Sequence, residues 1–219
     1  MGLIGRNGAG KSTTLKSILG LVHPDAGRVE MFGREFSENE RYIKENIGVV
    51  LGGIDFYPKK KVRTITDVTR RFYSNWQEEK YRHYLDLFAI DENKRVDQLS
   101  SGMRVKYLLA LALSHNARLL ILDEPTSGLD PVSRDELMEL FRGVVQSGER
   151  SILFSTHITS DLEKCASHIT MIKDGEILRS DTCTGFLAHY RAQLGDETLS
   201  LEDILVRVER RNYDGKDFL

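Results

Sequence analysis

The sequence predicts an α/β fold in which helices flank a mainly parallel sheet and a helical subdomain is inserted. Three observations point there. Apolar runs of strand length alternate with segments of helical periodicity along most of the chain. The runs ending at Leu122 and Phe154 are apolar throughout, as strands buried on both faces are. Between Asp55 and Asn93 the pattern changes: Phe72, Tyr73, Trp76, Tyr81, Tyr84 and Phe88 are mixed with many charges, and glycine is absent.

In chain order, Met1 to Ile4 reads as the tail of a buried strand, shorter than the usual length of about 5–6 residues. Ser12 to Leu21 is predicted helical, with Leu15, Ile18, Leu19 and Val22 on one face and His23-Pro24-Asp25-Ala26-Gly27 as its stop. Arg28 to Phe32 reads as a half-exposed strand, Ser37 to Asn46 as a polar helix, and Ile47 to Leu51 as a short buried strand. In the insertion, Trp76, Tyr84, Leu85 and Phe88 form one apolar face, which core packing explains without a ligand. Gly102 to Ser114 is a helix with Val105, Leu108, Leu109, Leu111 and Ala112 as a broad stripe, capped by Ser100 and Ser101. Arg118 to Leu122 is a central strand, Ser133 to Val145 an amphipathic helix, Ile152 to Phe154 a buried strand and Ser160 to Cys165 a short helix. Ile169 to Lys173 and Glu176 to Leu178 form a hairpin across Asp174-Gly175. The division predicted is a core of 1–54 and 115–182, a helical subdomain of 55–114, and a polar, partly helical tail of 183–219.

Composition narrows the function classes. With 219 residues, 31 Lys+Arg and 33 Asp+Glu, the formal net charge of −2 gives no electrostatic case for nucleic acid, and none is expected as a partner. The two cysteines, Cys165 and Cys183, lack metal-ligand spacing and suggest a reducing, cytoplasmic setting. No apolar run approaches the roughly 20 residues that span a bilayer, so work at a membrane would require a spanning partner.

The chemistry starts at Gly5-Arg6-Asn7-Gly8-Ala9-Gly10-Lys11-Ser12, which fits G-x-x-x-x-G-K-[ST] between a strand and a helix. In such a loop, consecutive backbone N–H groups (Gly5, Asn7, Gly8, Ala9, Gly10) and the helix N-terminus cradle a polyphosphate. Lys11 would reach the β- and γ-phosphates, Ser12 would ligate magnesium, and Thr13 continues the helix start. A plain capping turn would have no use for Lys-Ser at the closing position. Leu119 to Glu124 is an apolar strand that ends in two acids, whose side chains on a strand would point to opposite faces. Asp123 would then hold the magnesium while Glu124 serves as general base for an attacking water. Ser155-Thr156-His157 closes another buried strand.

Together these motifs resemble the ATP-binding subunits of ABC transporters, of the ABC-2 exporter type. The resemblance rests on the phosphate loop, on Leu99-Ser100-Ser101-Gly102-Met103 as signature motif, on Asp123 through Asp130 with the acid pair and its following loop, and on His157 as switch histidine. It runs from residue 1 to about 180 and implies a P-loop NTPase fold with ATP and Mg2+ as ligands. It also implies a head-to-tail dimer with a second ATP-binding subunit, identical or different. Each ATP would lie between one subunit's phosphate loop and the other's Ser100 and Gly102, with Asp130 coupling the two sites and His157 contacting the γ-phosphate. Separate transmembrane permease subunits would hold the chain peripherally at the inner face of the membrane. Ser101 and Met103 replace the usual second glycine and glutamine of the signature, and Gly52 stands where the family has a glutamine contacting magnesium and the membrane partner; Asp55 is the nearest substitute. The family also places further strands before Met1, so its N-terminal antiparallel β subdomain is expected to be largely missing here, on the order of 30–40 residues that include an adenine-stacking aromatic. One rival is an ABC-type ATPase acting on nucleic acid or ribosomes, which would be expected to carry a coiled-coil insertion or a second ATP domain. The other is a P-loop GTPase, whose N-K-x-D is not met because Asn93-Lys94 is followed by Arg95-Val96.

Overall fold

Parallel strand pairing organises the chain. The computed structural model describes residues 1–51 and 57–210. It opens with β1 (Gly2–Ile4), α1 (Lys11–Ile18), the short strands β2 (Glu30–Met31) and β3 (Arg34–Glu35), α2 (Phe36–Asn46) and β4 (Ile47–Val50). The insertion supplies α3 (Val62–Thr69) and α4 (Glu78–Leu87), and α5 (Ser101–Ser114) leads back to β5 (Leu119–Asp123). Then follow α6 (Pro131–Val145), β6 (Ser151–Thr156), α7 (Thr159–Cys165), β7 (His168–Lys173), β8 (Glu176–Thr182), α8 (Cys183–Leu194) and α9 (Leu201–Glu209). The main sheet has the order β4-β5-β6-β1-β7-β8, parallel except for β8, which returns antiparallel to β7. Register aligns the ends that matter: Asp123 pairs with Ser155, and Ile4 pairs with both Thr156 and Met171. The segments that follow β1, β5 and β6 therefore leave the sheet side by side at its C-terminal edge, where open α/β sheets bind ligands.

The helical insertion has its own apolar centre. Val62 and Ile65 of α3, Tyr81 and Leu85 of α4, Phe88, and Tyr107 and Leu111 of α5 form one cluster, with Trp76 and Tyr84 packed against it, as their pattern predicts. The Thr66 hydroxyl lies 2.7 Å from the Tyr81 hydroxyl and 2.9 Å from that of Tyr107, satisfying three buried polar groups at once. Leu109, Ala112 and Leu113 of the same α5 belong instead to the main core around β5 and β6. Helix α5 is therefore a wall shared by two apolar clusters and not a helix with a single stripe. His115 closes that wall. Its ring nitrogens lie 2.9 Å from the Leu111 carbonyl oxygen and 3.1 Å from that of Ile47, its ring stacks on Tyr73 at 3.7 Å, and burial pushes the imidazole below its ordinary pKa.

Four expectations are corrected. Helix α1 stops at Ile18 because Gly20 takes a φ of 69°, with Leu21 N–H donating to Lys16 O (2.9 Å) and Gly20 N–H to Ser17 O (3.1 Å); Leu21 and Val22 are exposed, outside the apolar face. The segment Arg28 to Phe32 contributes only a two-residue strand, paired with β3 through a turn with positive φ at Phe32 and Gly33. Ser100 alone caps α5, its hydroxyl accepting from Met103 N–H; Ser101 is already helical. The C-terminal segment, expected as a polar and partly helical tail, is helical in α8 and α9 but not polar throughout. Phe186 and Ile204 are fully buried and share the main core with Leu162, Ile169 and Met171. Gly52 and Asp55 lie outside the described residues.

Removing the Phe186 ring tests that last correction. Phe186→Ala should lower stability by about 3–5 kcal/mol in denaturant unfolding, the cost of a large core cavity. A loss under about 1 kcal/mol would mean that α8 is not part of the core.

Candidate nucleotide-binding and catalytic site

The phosphate loop is shaped from below by the sheet. A Cβ on Gly5 would stand 2.2 Å from the Ile172 carbonyl oxygen, so the loop leaves β1 hard against β7. Gly8 and Gly10 have φ of 85° and 111°, and Gly10 forms the N-cap of α1 in that left-handed conformation. The loop is closed by Ala9 N–H donating to Arg6 O (3.1 Å) and is held from outside by Gly175 N–H donating to Ala9 O (3.0 Å). Asn7 and Gly8 are exposed at its tip, and Thr13 is exposed on the first turn of α1. Beside the loop, Arg6 and Asn7 share a cavity of about 260 Å³ with Lys173 and Glu209. Lys173 Nζ donates to Val208 O (2.7 Å), which brings the end of α9 next to the loop.

Five side chains then converge. Lys11, only 4% exposed, donates through Nζ to Gly5 O (2.8 Å) and Arg6 O (3.1 Å), and the same nitrogen lies 3.3 Å from Glu124 Oε1. Ser12 Oγ donates to Asp123 Oδ1 (3.1 Å). His157 Nδ1 lies 2.9 Å from Glu124 Oε2. The two acids do not point to opposite faces, as strand alternation suggested. The strand ends at Asp123, and Glu124 takes a φ of 47°, which swings its carboxylate to the same Lys11-Ser12 end. Ser155 makes this possible and escaped the sequence reading: its Oγ donates to Asp123 Oδ1 (2.5 Å) and accepts from Glu124 N–H (2.9 Å). A hydroxyl ending a buried strand next to an acid-bearing one was the available signal, but only the register pairs the two.

Ser100, Gly102 and Asp130 form a second group. Ser101 Oγ is 3.5 Å from Gly128 O, and Gly102 lies against Leu129 and Ser133. Asp130 Oδ1 accepts from Val132 and Ser133 N–H, both at 3.0 Å, and Oδ2 accepts from the Ser133 hydroxyl at 2.6 Å. The Ser133 hydroxyl foremost, then its N–H, holds the Asp130 carboxyl below the usual carboxylate range. Among the described residues, no side-chain hydrogen bond or ion pair joins this group to Lys11, Ser12, Asp123, Glu124 or His157.

The donor set suits a magnesium ion that arrives with phosphates. Ser12 and Asp123 present hard oxygens already 3.1 Å apart, and no three His, Cys, Asp or Glu residues converge into a dedicated cage among the described residues. Ser12 and Asp123 are the residues that would hold it.

Comparison with known proteins agrees with this architecture. Residues 1–127 match the ABC transporter family. The chain is 34% identical over 179 residues to the bacitracin transport ATP-binding protein BcrA of Bacillus licheniformis, covering 81% of this chain and 58% of that protein. It is 37% identical over 179 residues to the Nod factor export ATP-binding protein I of Burkholderia lata, covering 80% and 59%. It thus spans less than two thirds of the length of these relatives. A solved ATP-binding subunit of an ABC transporter superposes with a TM-score of 0.80 at 26% identity, over 95% of this chain and 87% of that one. A dimeric ATP-binding cassette bound to ADP and Pi, 22% identical with a TM-score of 0.71 over 83% and 84% of the two chains, shares the fold. With a phosphate loop, an acid pair and a histidine gathered at the edge of a parallel sheet, and with more than half its residues matched, this chain belongs to the ABC transporter family.

Proposed function

We propose that the chain is the ATP-binding and ATP-hydrolysing subunit of an ABC transporter, powering export through separate membrane-spanning subunits. The observation that carries the reading is the convergence of Lys11, Ser12, Asp123, Glu124 and His157 where β1, β5 and β6 end. Residues 1–54 and 115–182 are the ATP-binding core, with 55–114 as the helical subdomain. Export is supported by the relatives, one of them a Nod factor export protein. Among the described residues no helix is long and apolar enough to cross a membrane, in keeping with a chain that reaches the inner membrane face through a permease.

The mechanism follows from the contacts. ATP phosphates compete with the Gly5 and Arg6 carbonyl oxygens and with Glu124 for Lys11 Nζ, so nucleotide binding draws Lys11 away from the loop and frees one Glu124 oxygen. Loop amides and the α1 N-terminus hold the anion. Glu124, with His157 holding its other oxygen, takes a proton from water as the water oxygen bonds the γ-phosphorus; the bond to the β–γ bridging oxygen breaks, and ADP and phosphate leave. Ser12 and Asp123 would hold a magnesium ion arriving with the nucleotide, which would offset phosphate negative charge. Among the described residues no side-chain hydrogen bond or ion pair joins Ser100 to Lys11, which supports a head-to-tail dimer in which Ser100 and Gly102 complete the partner's site and Asp130 lies at the junction.

Two outcomes test this. Glu124→Gln keeps size and hydrogen bonding but removes the base, so ATP binding should persist while steady-state hydrolysis falls by a factor on the order of 10²–10⁴; undiminished turnover would contradict the assignment. A Cβ at Gly102 meets only ordinary contacts at 3.5 Å or more, so Gly102→Asp should fold normally. Its carboxylate would stand where a partner's phosphate docks, so size-exclusion chromatography should show ATP-driven dimerisation lost with single-chain nucleotide binding retained. An unchanged dimer would contradict the sandwich.

A further inference from the structure

Behind the Glu124–His157 pair lies a carboxylate that the mechanism does not use. Asp161, in the first turn of α7, is 0% exposed, although acids at helix starts ordinarily face water. Its Oδ2 accepts from the Thr126 hydroxyl at 2.6 Å and lies 3.5 Å from that of Thr156, while its Oδ1 is buried without a partner. Thr126 and Thr156 are each 1% exposed. Thr156 Oγ1 also accepts from Ile158 N–H at 3.0 Å, so its hydroxyl braces the turn that carries His157. Thr126 sits two residues beyond Glu124, in the turn that Ser127 N–H closes onto Glu124 O at 3.1 Å. One buried carboxylate therefore joins the two turns from behind, and the Glu124–His157 contact joins them in front.

A buried acid with an unsatisfied oxygen is costly, and anchoring α7 alone would be met by an apolar side chain. The arrangement fits a task that needs the two turns fixed relative to each other. We propose that Asp161 is a positioning residue for ATP hydrolysis: through Thr126 and Thr156 it sets the separation and orientation of Glu124 and His157. The inference rests on the reading of Glu124 as general base. Among the described residues no side-chain hydrogen bond or ion pair joins Asp161 to Lys11 or Ser12, so nucleotide binding is left to the phosphate loop.

The test uses the full chain with ATP and magnesium, and a fluorescent ADP analogue for affinity. Thr126→Val keeps the shape and removes the bond to Asp161; Asp161→Ala removes the hub. Each should lower kcat by a factor on the order of 10–10², as a displaced catalytic group does, and leave the ADP-analogue Kd within about twofold. Asp161→Asn keeps an acceptor for Thr126 and should restore at least half of the kcat. In a Glu124→Gln background, Thr126→Val should cause no further loss, because its effect passes through Glu124; a general structural defect would lower the residual rate again. If Asp161→Ala does not fold, Thr126→Val decides alone. Wild-type kcat in Thr126→Val, or a further loss in the Glu124→Gln background, overturns the positioning role while the proposed function stands. An unsubstituted chain that binds the ADP analogue but shows no ATP turnover overturns both.

Discussion

One hydroxyl holds the proposed catalytic edge of the sheet together. Ser155 Oγ donates to Asp123 and accepts from the Glu124 backbone N–H, so the last residue of β5 and the acid that follows it are both tied to β6 by a single atom. That bond matters because Glu124 has a φ of 47°, a conformation that costs about 1–3 kcal/mol for a residue other than glycine unless its surroundings hold it. Ser155 from below, Lys11 from one side and His157 from the other are those surroundings. The turn that Glu124 makes is what brings its carboxylate to the same place as that of Asp123, the last strand residue. The strain thus lies at the residue proposed as general base and is offset by contacts to Lys11, Ser155 and His157.

The helical insertion is likewise held through one shared element. Helix α5 carries Tyr107 and Leu111 into one cluster and Leu109 and Leu113 into the other, so the subdomain cannot shift without α5 shifting against β5. Its N-terminus presents Ser100 and Gly102, and beyond its C-terminus His115 links Ile47 of β4 with the Tyr73 ring. A helix packed on both sides and anchored at its far end is a rigid lever. Through α5, the Ser100 cap is connected by packed side chains to Ile47 at the start of β4.

Much of this was legible in the sequence where chemistry demands particular residues at fixed spacing. Gly5 through Ser12 announced a phosphate loop because backbone amides, a lysine and a hydroxyl are needed in that order, and Asp123, Glu124 and His157 fell at the ends of apolar runs. The shortfall lay where tertiary register or backbone geometry decides. Ser155, Thr126 and Asp161 are ordinary polar residues until β5 and β6 pair and bury them. The direction of Glu124 depends on one dihedral that alternation does not encode. The weak, polar pattern after Thr182 predicts a partly helical tail, yet Phe186 and Tyr190 of α8 and Leu201 and Ile204 of α9 stand at helical spacing and are buried. Gly20, a glycine just past a helix, was the overlooked stop signal for α1.

The phosphate loop, Lys11, Asp123 and Glu124 are proposed to form a nucleotide site. Calorimetric titration of ADP with magnesium into the chain and into its Lys11→Ala variant tests it directly. The account predicts saturable one-to-one binding by the unsubstituted chain, weakened in the variant by about 10–100-fold, because a charge-assisted hydrogen bond is worth about 1.5–3 kcal/mol. Equal affinity in the two proteins would contradict it.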